Sequence, residues 1–362
     1  MYTLEDLGTV KNMDYSVPAA INNFASVAGT AYAGGYTCAF HYNYVKKLPE
    51  DAGGVNSRAF AINSADIVVG DSYFGPATGG SHAALFKSGY VQDLGALKNQ
   101  VFSRANGVNA MGQVVGYSGP ARDSSQSRAF VWNVQTGMVD IGTLGGAYAQ
   151  AYAINDGGTI TGGSDLPAMS PMTHAFTYNP ACMSCGGMKD LGVLGGNVSV
   201  GMAINVNNHV VGFSTVPALA PPAPPPALAP PPSNDNRLHA FLHDGYKMID
   251  LGSLGLPGTY SDVSVALGVN SVDQVVGSTY LPATSGMPLQ QVAFLWRRNW
   301  TGGGQMIDLN KLLYGGGTNY VLVAATAIND NGQIVAIAYD IMSGSARAVL
   351  LTPQGPAPAR TR

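Results

Sequence analysis

Charged residues are unusually few in this 362-residue chain. Asp, Glu, Lys and Arg make up only 11% of it, against roughly 25% in an ordinary soluble domain. The formal net charge is -3 at pH 7. Binding to nucleic acid needs a concentrated basic face, so nucleic acid is not an expected partner. No stretch reaches the roughly 20 apolar residues of a membrane-spanning helix. Residues 1–6 lack the basic start and apolar run of a signal peptide.

Cysteine is also rare, with three in the chain. Cys182 and Cys185 flank two residues at a predicted hairpin tip, where two thiolates cannot complete a tetrahedral zinc site. A thioredoxin-like role would need a helix after a strand, and the pattern predicts none. We therefore predict a local disulfide between Cys182 and Cys185, which fits an oxidising compartment. Cys38 is expected to be a buried, unpaired thiol.

Recognisable catalytic motifs are missing. The sequence has no nucleophile elbow, phosphate-binding loop, zinc-binding His-Glu-x-x-His helix or calcium loop. It therefore predicts no catalytic residue, metal or cofactor. Helical spacing of apolar residues is absent as well, and period-2 alternation between Gly, Asn and Asp turns predicts an all-β fold.

What the chain does have is a phrase repeated seven times: Ala-Ile-Asn, a short turn, then Val-Val-Gly. A period of 40 to 65 residues is typical of supersecondary units arranged in a stack or ring. In the fifth unit, strands are predicted at 201–205, 209–214, 239–243 and 246–251. Four antiparallel strands per repeat indicate a propeller blade. The seven repeated asparagines are Asn22, Asn63, Asn109, Asn155, Asn205, Asn270 and Asn329.

The turn after each asparagine supports this interpretation. Three residues after the asparagine, six of the seven units carry Gly, Asn or Asp, and the first carries Ala25. Gly, Asn and Asp tolerate the positive φ that a tight hairpin needs. We expect the asparagine side chain to cap this turn. The alternative is a ring of amides that bind a ligand.

The two ends of the chain predict how the ring closes. The last unit supplies three strands, and the missing fourth is predicted near the N-terminus, where residues 4–8 repeat the Asp-Leu-Gly phrase that ends the other units. The prediction is a single seven-bladed β-propeller over 1–353, with residues 1–10 as the outer strand of the last blade. Residues 216–236 form a Pro-rich insertion in blade 5, either a docking segment or a stiff solvated loop. Residues 354–362 are expected to be a disordered tail.

Several phrases resemble a known family. His-Ala-Phe stands at 174–176 and 239–241, Met-Lys-Asp-Leu-Gly-Val-Leu-Gly-Gly at 188–196 and Val-Gly-Phe-Ser at 211–214. Together they resemble the HAF-type extracellular repeat family of bacteria over nearly the whole chain. Blades 1 and 6 depart from it, with Cys38 and Val292 at the histidine position. The resemblance implies a β-propeller and an extracellular or periplasmic location, and it brings no reaction and no catalytic residues.

A His or Arg begins the third strand in five units, and an Asp on the fourth strand accompanies it. We interpret these as structural cross-strand pairs because they lie on separate blades and cannot converge on a metal. In blade 5, a two-residue turn at Asp244-Gly245 would place His239 directly opposite Asp250. Blade 1 is expected to have neither partner, with a degenerate segment at 46–54, and blade 6 sets Val292 against Asp308. The predicted pairs are His82–Asp93, Arg128–Asp140, His174–Asp190, His239–Asp250 and Arg347–Asp6.

The loops between blades and the loops between the second and third strands share one rim, which is the predicted ligand face. Its aromatic residues could stack on sugars or contact a protein; the alternative is that they pack between blades. The candidate ligand-binding residues are Tyr73, Tyr117, Tyr148, Tyr260 and Tyr280.

These observations favour an exported, monomeric binding scaffold for an unknown protein or polysaccharide. Two alternatives stay open, namely a carbohydrate-acting lyase or glycosidase with a site at the channel mouth, and a purely structural module. A glycosidase needs two carboxylates roughly 5 to 10 Å apart. The acidic residues that could supply them on this rim are Asp71, Asp165, Asp235 and Asp262.

Overall fold

The computed structural model describes residues 1–75, 80–87, 89–122, 124–167, 172–182, 187–217, 237–282, 289–299, 303–314 and 319–355. Within these ranges the chain forms seven sheets of four antiparallel strands each, arranged as the blades of a ring. The prediction of a seven-bladed β-propeller is confirmed. We letter the strands of each blade A to D from the innermost outward, and this is also their order along the chain in blades 1 to 6.

Strands A to D of the first four blades have the following bounds. Blade 1 has β2 (Tyr15–Ile21), β3 (Val27–Ala33), β4 (Tyr36–Asn43) and β5 (Leu48–Gly53). Blade 2 has β6 (Val55–Ile62), β7 (Val68–Tyr73), β8 (Ser81–Lys87) and β9 (Tyr90–Asp93). Blade 3 has β10 (Phe102–Val108), β11 (Val114–Gly119), β12 (Arg128–Asn133) and β13 (Gly137–Asp140). Blade 4 has β14 (Ala149–Ile154), β15 (Ile160–Asp165), β16 (Thr173–Tyr178) and β17 (Lys189–Asp190).

The last three blades complete the ring. Blade 5 has β18 (Ser199–Ile204), β19 (Val210–Thr215), β20 (Leu238–His243) and β21 (Met248–Asp250). Blade 6 has β22 (Ser264–Val269), β23 (Val275–Leu281), β24 (Gln290–Arg298) and β25 (Gly304–Asp308), followed by a short 3-10 helix (Leu309–Leu312). Blade 7 has β26 (Tyr320–Ile328), β27 (Ile334–Asp340), β28 (Ser345–Pro353) and, as strand D, β1 (Tyr2–Asp6).

The N-terminal strand closes the ring as predicted. β1 pairs antiparallel with β28 from Tyr2 opposite Pro353 to Asp6 opposite Val349. The backbone N–H of Gln354 donates to the carbonyl of Met1 at 2.8 Å, so the chain ends meet in one sheet. This pairing covers the edge that β28 would otherwise expose. Of the predicted tail, residues 356–362 lie outside the described ranges, as do residues 218–236 of the Pro-rich insertion.

The repeated asparagines form a closed hydrogen-bonded ring around the centre of the propeller. Each side-chain amide donates to the backbone carbonyl of the equivalent asparagine in the next blade, and Asn329 donates to Asn22 at 3.0 Å to complete the circle. Each side-chain oxygen accepts backbone N–H groups of its own turn, as when Asn22 accepts from Phe24 and Ser26 at 3.0 Å. The predicted cap is therefore present, and the same side chain also links neighbouring blades.

Backbone geometry explains the rest of the repeated phrase. All seven residues three positions after the asparagine have positive φ, including Ala25 at 61° and Asp273 at 59°. A bulge in each strand A brings its backbone close to the glycine of Val-Val-Gly, and a Cβ on Gly70 would lie 1.8 Å from the carbonyl oxygen of Arg58. Blade 7 carries Ala336 there, and its strand A has a second bulge between Leu322 and Ala324. In the other six blades, the close approach of two backbones requires Gly at this position.

The cross-strand pairs form in four blades, but not with the predicted register. His239 contacts Asp250 through Nδ1 at 2.9 Å, yet Asp250 lies opposite Phe241. The hairpin loop contains four residues, 244–247, because the last paired residues are His243 and Met248. This longer loop shifts Asp250 by two positions, and the His reaches it diagonally. The same diagonal contact joins the His82–Asp93, Arg128–Asp140 and His174–Asp190 pairs.

Two expectations about this outer hairpin were wrong. No ion pair joins Arg347 and Asp6, although the structure describes both; the Asp6 carboxylate accepts the Tyr320 hydroxyl at 2.9 Å and the Gly8 N–H at 2.8 Å. Blade 1 does keep the strand D aspartate, because Asp51 lies opposite Phe40 and caps Gly53 at 2.7 Å, as Asp6 does Gly8. The motif reads Asp51-Ala52-Gly53, with alanine in place of the usual leucine, which hid it in the sequence.

Candidate functional site

One position on strand A separates three consecutive blades from the rest. It lies five residues before each ring asparagine, toward the rim formed by the D–A and B–C loops. The A strands of adjacent blades contact one another around the ring, so this position encircles the centre. The residue is apolar in four blades and polar in blades 2, 3 and 4. In blade order the residues are Val17, Arg58, Arg104, Gln150, Val200, Val265 and Ala324.

The arginines at this position in blades 2 and 3 both contact Asp71, whose side chain is only 1% exposed. Asp71 lies directly opposite Arg58, which binds both carboxylate oxygens, one of them through Nε at 2.9 Å. Arg104 of the next blade donates from Nε to Asp71 at 3.3 Å, and a terminal nitrogen of Arg122 lies 3.8 Å from the same oxygen. We name Arg58, Asp71, Arg104 and Arg122 the Asp71 cluster. It joins strands of two blades and the B–C loop of blade 3.

Aromatic rings pack against the guanidinium groups of this cluster. The Arg104 guanidinium lies 4.8 Å from the ring centre of Phe60 and 5.5 Å from that of Tyr117. Arg122 lies 5.1 Å from the ring centre of Phe102. Such contacts hold a guanidinium by its face and leave its N–H groups at the edge for hydrogen bonding.

Tyrosines extend the cluster in both directions around the rim. In blade 4, burial and the neighbouring Tyr152 raise the pKa of Tyr148, and Tyr117 is among the groups that interact with it. In blade 1, Tyr15 stacks on Tyr32 with ring centres 4.9 Å apart. Burial raises the pKa of the Tyr32 phenol, and the positive charge of Arg58 opposes this rise. An aromatic and arginine-rich arc thus runs from blade 1 to blade 4.

The structure brings together only part of the predicted tyrosine set. Tyr117 and Tyr148 lie in the arc, and Tyr73 ends β7 two residues after Asp71. The expectation of an accessible ring fails for Tyr117, which is 1% exposed because it packs on Phe102 inside blade 3. Tyr260, which is 89% exposed, lies in the loop before blade 6, and Tyr280 is half-buried on β23, three blades from the cluster.

The acidic candidates do not converge with one another. Asp71 is bound by arginines, and Asp165 accepts the Thr173 hydroxyl at 2.6 Å. Asp262 is bound by Arg237, the Ser253 hydroxyl, the Gly258 N–H and Nε2 of His239. Asp235 lies outside the described residues. Each carboxylate that can be placed is thus already engaged by donors of its own surroundings.

His239 is the one histidine of the predicted pairs that bridges two carboxylates, those of Asp250 and Asp262, at 2.9 and 3.0 Å. Burial alone would lower its pKa, but hydrogen bonds and charge from the two carboxylates outweigh burial and raise the pKa above the usual value. Among the described residues, no group of three or more His, Cys, Asp or Glu side chains could hold a metal ion.

The opposite rim, formed by A–B and C–D turns, carries a separate groove of about 540 Å³ between blades 4 and 5. Its lining includes Tyr178, Lys189 and His243. Cys182 also lines it and is disulfide-bonded, whereas Cys185 lies outside the described residues, so the predicted pairing stays a prediction. Cys38 is a buried free thiol, as expected.

No protein-family model matches this chain, and no curated protein matches it. Among solved structures, it is similar to TolB from Acinetobacter baumannii, with 11% sequence identity and a TM-score of 0.47. That match covers 92% of this chain and 65% of the TolB chain. No helix in the described part of the chain is long and apolar enough to cross a membrane.

The sequence reasoning missed the arginines of the Asp71 cluster. The sequence suggests Asp71 only as a candidate catalytic acid, and Arg58 and Arg104 are 46 residues apart in blades that look alike. A signal was nevertheless present, because aligning the seven repeats on their asparagines shows Arg, Arg and Gln where the other units carry Val or Ala. Departures of this kind from a repeat mark places where the scaffold alone does not dictate the residue.

Proposed function

We propose that this protein is an exported binding scaffold that recognises a polysaccharide or a protein through the D–A and B–C rim of blades 1 to 4. The observation that carries the proposal is the Asp71 cluster with its aromatic surroundings. Arginine and tyrosine are the side chains that most often dominate binding interfaces. The export and the HAF-type family remain part of the proposal and rest on the resemblance of the repeated phrases.

The scaffold supports such a role because it holds the rim rigidly. Seven asparagine bridges and the β1–β28 pairing fix neighbouring blades relative to one another. Side chains held by a rigid frame lose little conformational entropy when they bind. No contact in the described structure favours the lyase or glycosidase alternative, because the three candidate acids within it, Asp71, Asp165 and Asp262, are bound by arginine, histidine or hydroxyl groups.

The test compares tyrosines on the two rims. A variant with Tyr15→Ala and Tyr73→Ala removes two partly exposed rings from the proposed face. A control with Tyr90→Ala and Tyr246→Ala removes two exposed rings from the C–D tips of the opposite rim. We expect the first pair to reduce capture of polysaccharides or secreted proteins by the immobilised chain, and the control to leave capture unchanged. Equal capture by both variants would contradict the proposed face.

A further inference from the structure

The Asp71 cluster carries more positive charge than its carboxylate neutralises. Arginine stays protonated at every physiological pH, so Arg58, Arg104 and Asp71 together have a formal charge of +1, to which Arg122 adds another. Asp71 is the one carboxylate within 4 Å of these guanidiniums in the described ranges. Asp123, the neighbour of Arg122 in the chain, lies outside those ranges. A half-buried surplus of this kind is stabilised when an anion binds.

Arg104 is placed to receive that anion. Its hydrogen bond to Asp71 uses Nε alone, and its two terminal nitrogens have no hydrogen-bond partner among the residues that the structure describes. Its guanidinium carbon lies over the rings of Phe60 and Tyr117, 4.8 and 5.5 Å from the ring centres. A guanidinium fixed in this way presents a planar pair of donors that matches the two oxygens of an oxyanion.

Arg58 has a different task, because it binds both oxygens of the buried Asp71 and thereby holds the carboxylate in place. Asp71 in turn orients Arg104 through the Nε contact. The anion would therefore meet a preorganised donor rather than a flexible side chain, which lowers the entropic cost of binding.

We propose that the Asp71 cluster binds an acidic polysaccharide, with Arg104 receiving a carboxylate or sulfate group of the sugar. This inference rests on the proposed function and names its ligand class. Exposed faces of Tyr15 and Tyr73 flank the cluster on the same rim and provide surfaces on which a sugar ring can stack.

The experiment measures binding of the full chain by calorimetry to four probes: a galacturonate tetramer, a sulfated maltotetraose, neutral maltotetraose and a short polyglutamate peptide. The first two distinguish carboxylate from sulfate, and binding of either supports the proposal. We expect the preferred anionic sugar to bind at least about tenfold more tightly than the neutral one. Its affinity should fall as salt is raised, because exposed charges are screened.

The decisive variant is Arg104→Gln, which should weaken binding of the anionic sugar by about tenfold to a hundredfold. Asp71 keeps both contacts to Arg58 in this variant, so the fold should persist, and the thermal midpoint verifies this. Arg104→Lys keeps the charge but loses the planar pair of donors, and should bind more weakly than the native chain. Lys189→Gln removes the same charge from the opposite rim and should bind as the native chain does.

Three results would overturn the inference: neutral and anionic sugars binding equally, a folded Arg104→Gln variant that binds normally, or polyglutamate binding more tightly than both anionic sugars. Absence of binding to all four probes would also overturn it. The test of the proposed function is separate. If the Tyr15 and Tyr73 variant loses capture but Arg104→Gln keeps it, the rim is still the binding face but has no anion site.

Discussion

Replacing one ring asparagine tests how much the bridges between blades contribute to stability. Asn155 is a suitable choice because its side chain is buried and all its contacts are short. Its amide donates to the carbonyl of Asn205 and to Oδ1 of Asn208, both at 2.8 Å. Its oxygen accepts the Thr159 N–H at 3.0 Å. Asn155→Ala removes all three hydrogen bonds at once.

The expected loss of stability follows from the hydrogen bonds that are removed and from the polar groups that lose a partner. Each hydrogen bond contributes about 1 kcal/mol net. The Asn205 carbonyl still accepts the N–H of Asn208 at 3.1 Å, so it is not left without a partner. The buried Thr159 N–H, in contrast, loses its acceptor, so the free energy of unfolding should fall by at least about 3 kcal/mol.

The assay is urea unfolding followed by circular dichroism, with Asn133→Ala as the matched control. Asn133 caps a C–D turn by accepting from Gln135 and Thr136 at 2.9 Å, and within the described ranges it makes no hydrogen bond to another blade. Its loss should cost about 1 kcal/mol, as for other capping side chains. Equal losses for the two variants would show that the bridges between blades add nothing to the turn caps, and would refute the reasoning.

Three further predictions concern closure, charge and thiol chemistry. Deleting residues 1–7 uncovers the β28 edge and buried apolar side chains, so thermal stability should drop and aggregation should appear in size-exclusion chromatography. Deleting residues 356–362 should have neither effect. A stable monomer after the first deletion would contradict ring closure. The pKa of His239 is raised in the folded chain, so the stabilisation by its protonated form is complete below the unfolded pKa and is lost as the pH rises through the folded pKa. The stability deficit of His239→Gln relative to the native chain should therefore shrink with rising pH. Burial and a nearby lysine lower the pKa of His243, so protonation of this residue in acid destabilises the fold. The His243→Gln variant should therefore become more stable relative to the native chain as pH falls. Parallel plots of stability against pH for the two variants would contradict both signs. Burial, with help from Asp51, raises the pKa of Cys38 to about 12, so Ellman's reagent should label it only after urea is added, and rapid labelling of the native chain would count against its burial.

Local signals in the sequence were sufficient for the architecture because each blade repeats them. The asparagine turn needs a residue with positive φ, and all seven units supply one. The Asp-Leu-Gly phrase after Leu4 revealed the strand that closes the ring, and β1 does pair with β28. Both are properties of a few consecutive residues, which a sequence displays directly.

The sequence did not predict the strand register of the outer hairpins or the hydrogen-bond partners of their carboxylates, for a geometric reason. A change of two residues in a hairpin loop moves every opposite pair, so Asp250 lies opposite Phe241 and His239 reaches it diagonally. Asp6 likewise accepts a hydroxyl from Tyr320, on the far side of its own blade, and not Arg347. Which donor reaches a carboxylate depends on the positions of side chains from several strands.

The amino-acid sequence by itself determined the number of blades, the turns and the closure of the ring, since these depend on short-range backbone preferences repeated seven times. Only the tertiary structure decided that the asparagine amides bridge successive blades and that Arg104 reaches Asp71 on the neighbouring sheet. Those contacts join residues 33 to 65 positions apart, and 307 positions apart where Asn329 bridges to Asn22. Their distances are set by how the sheets pack around the centre, which the pattern within one repeat does not contain.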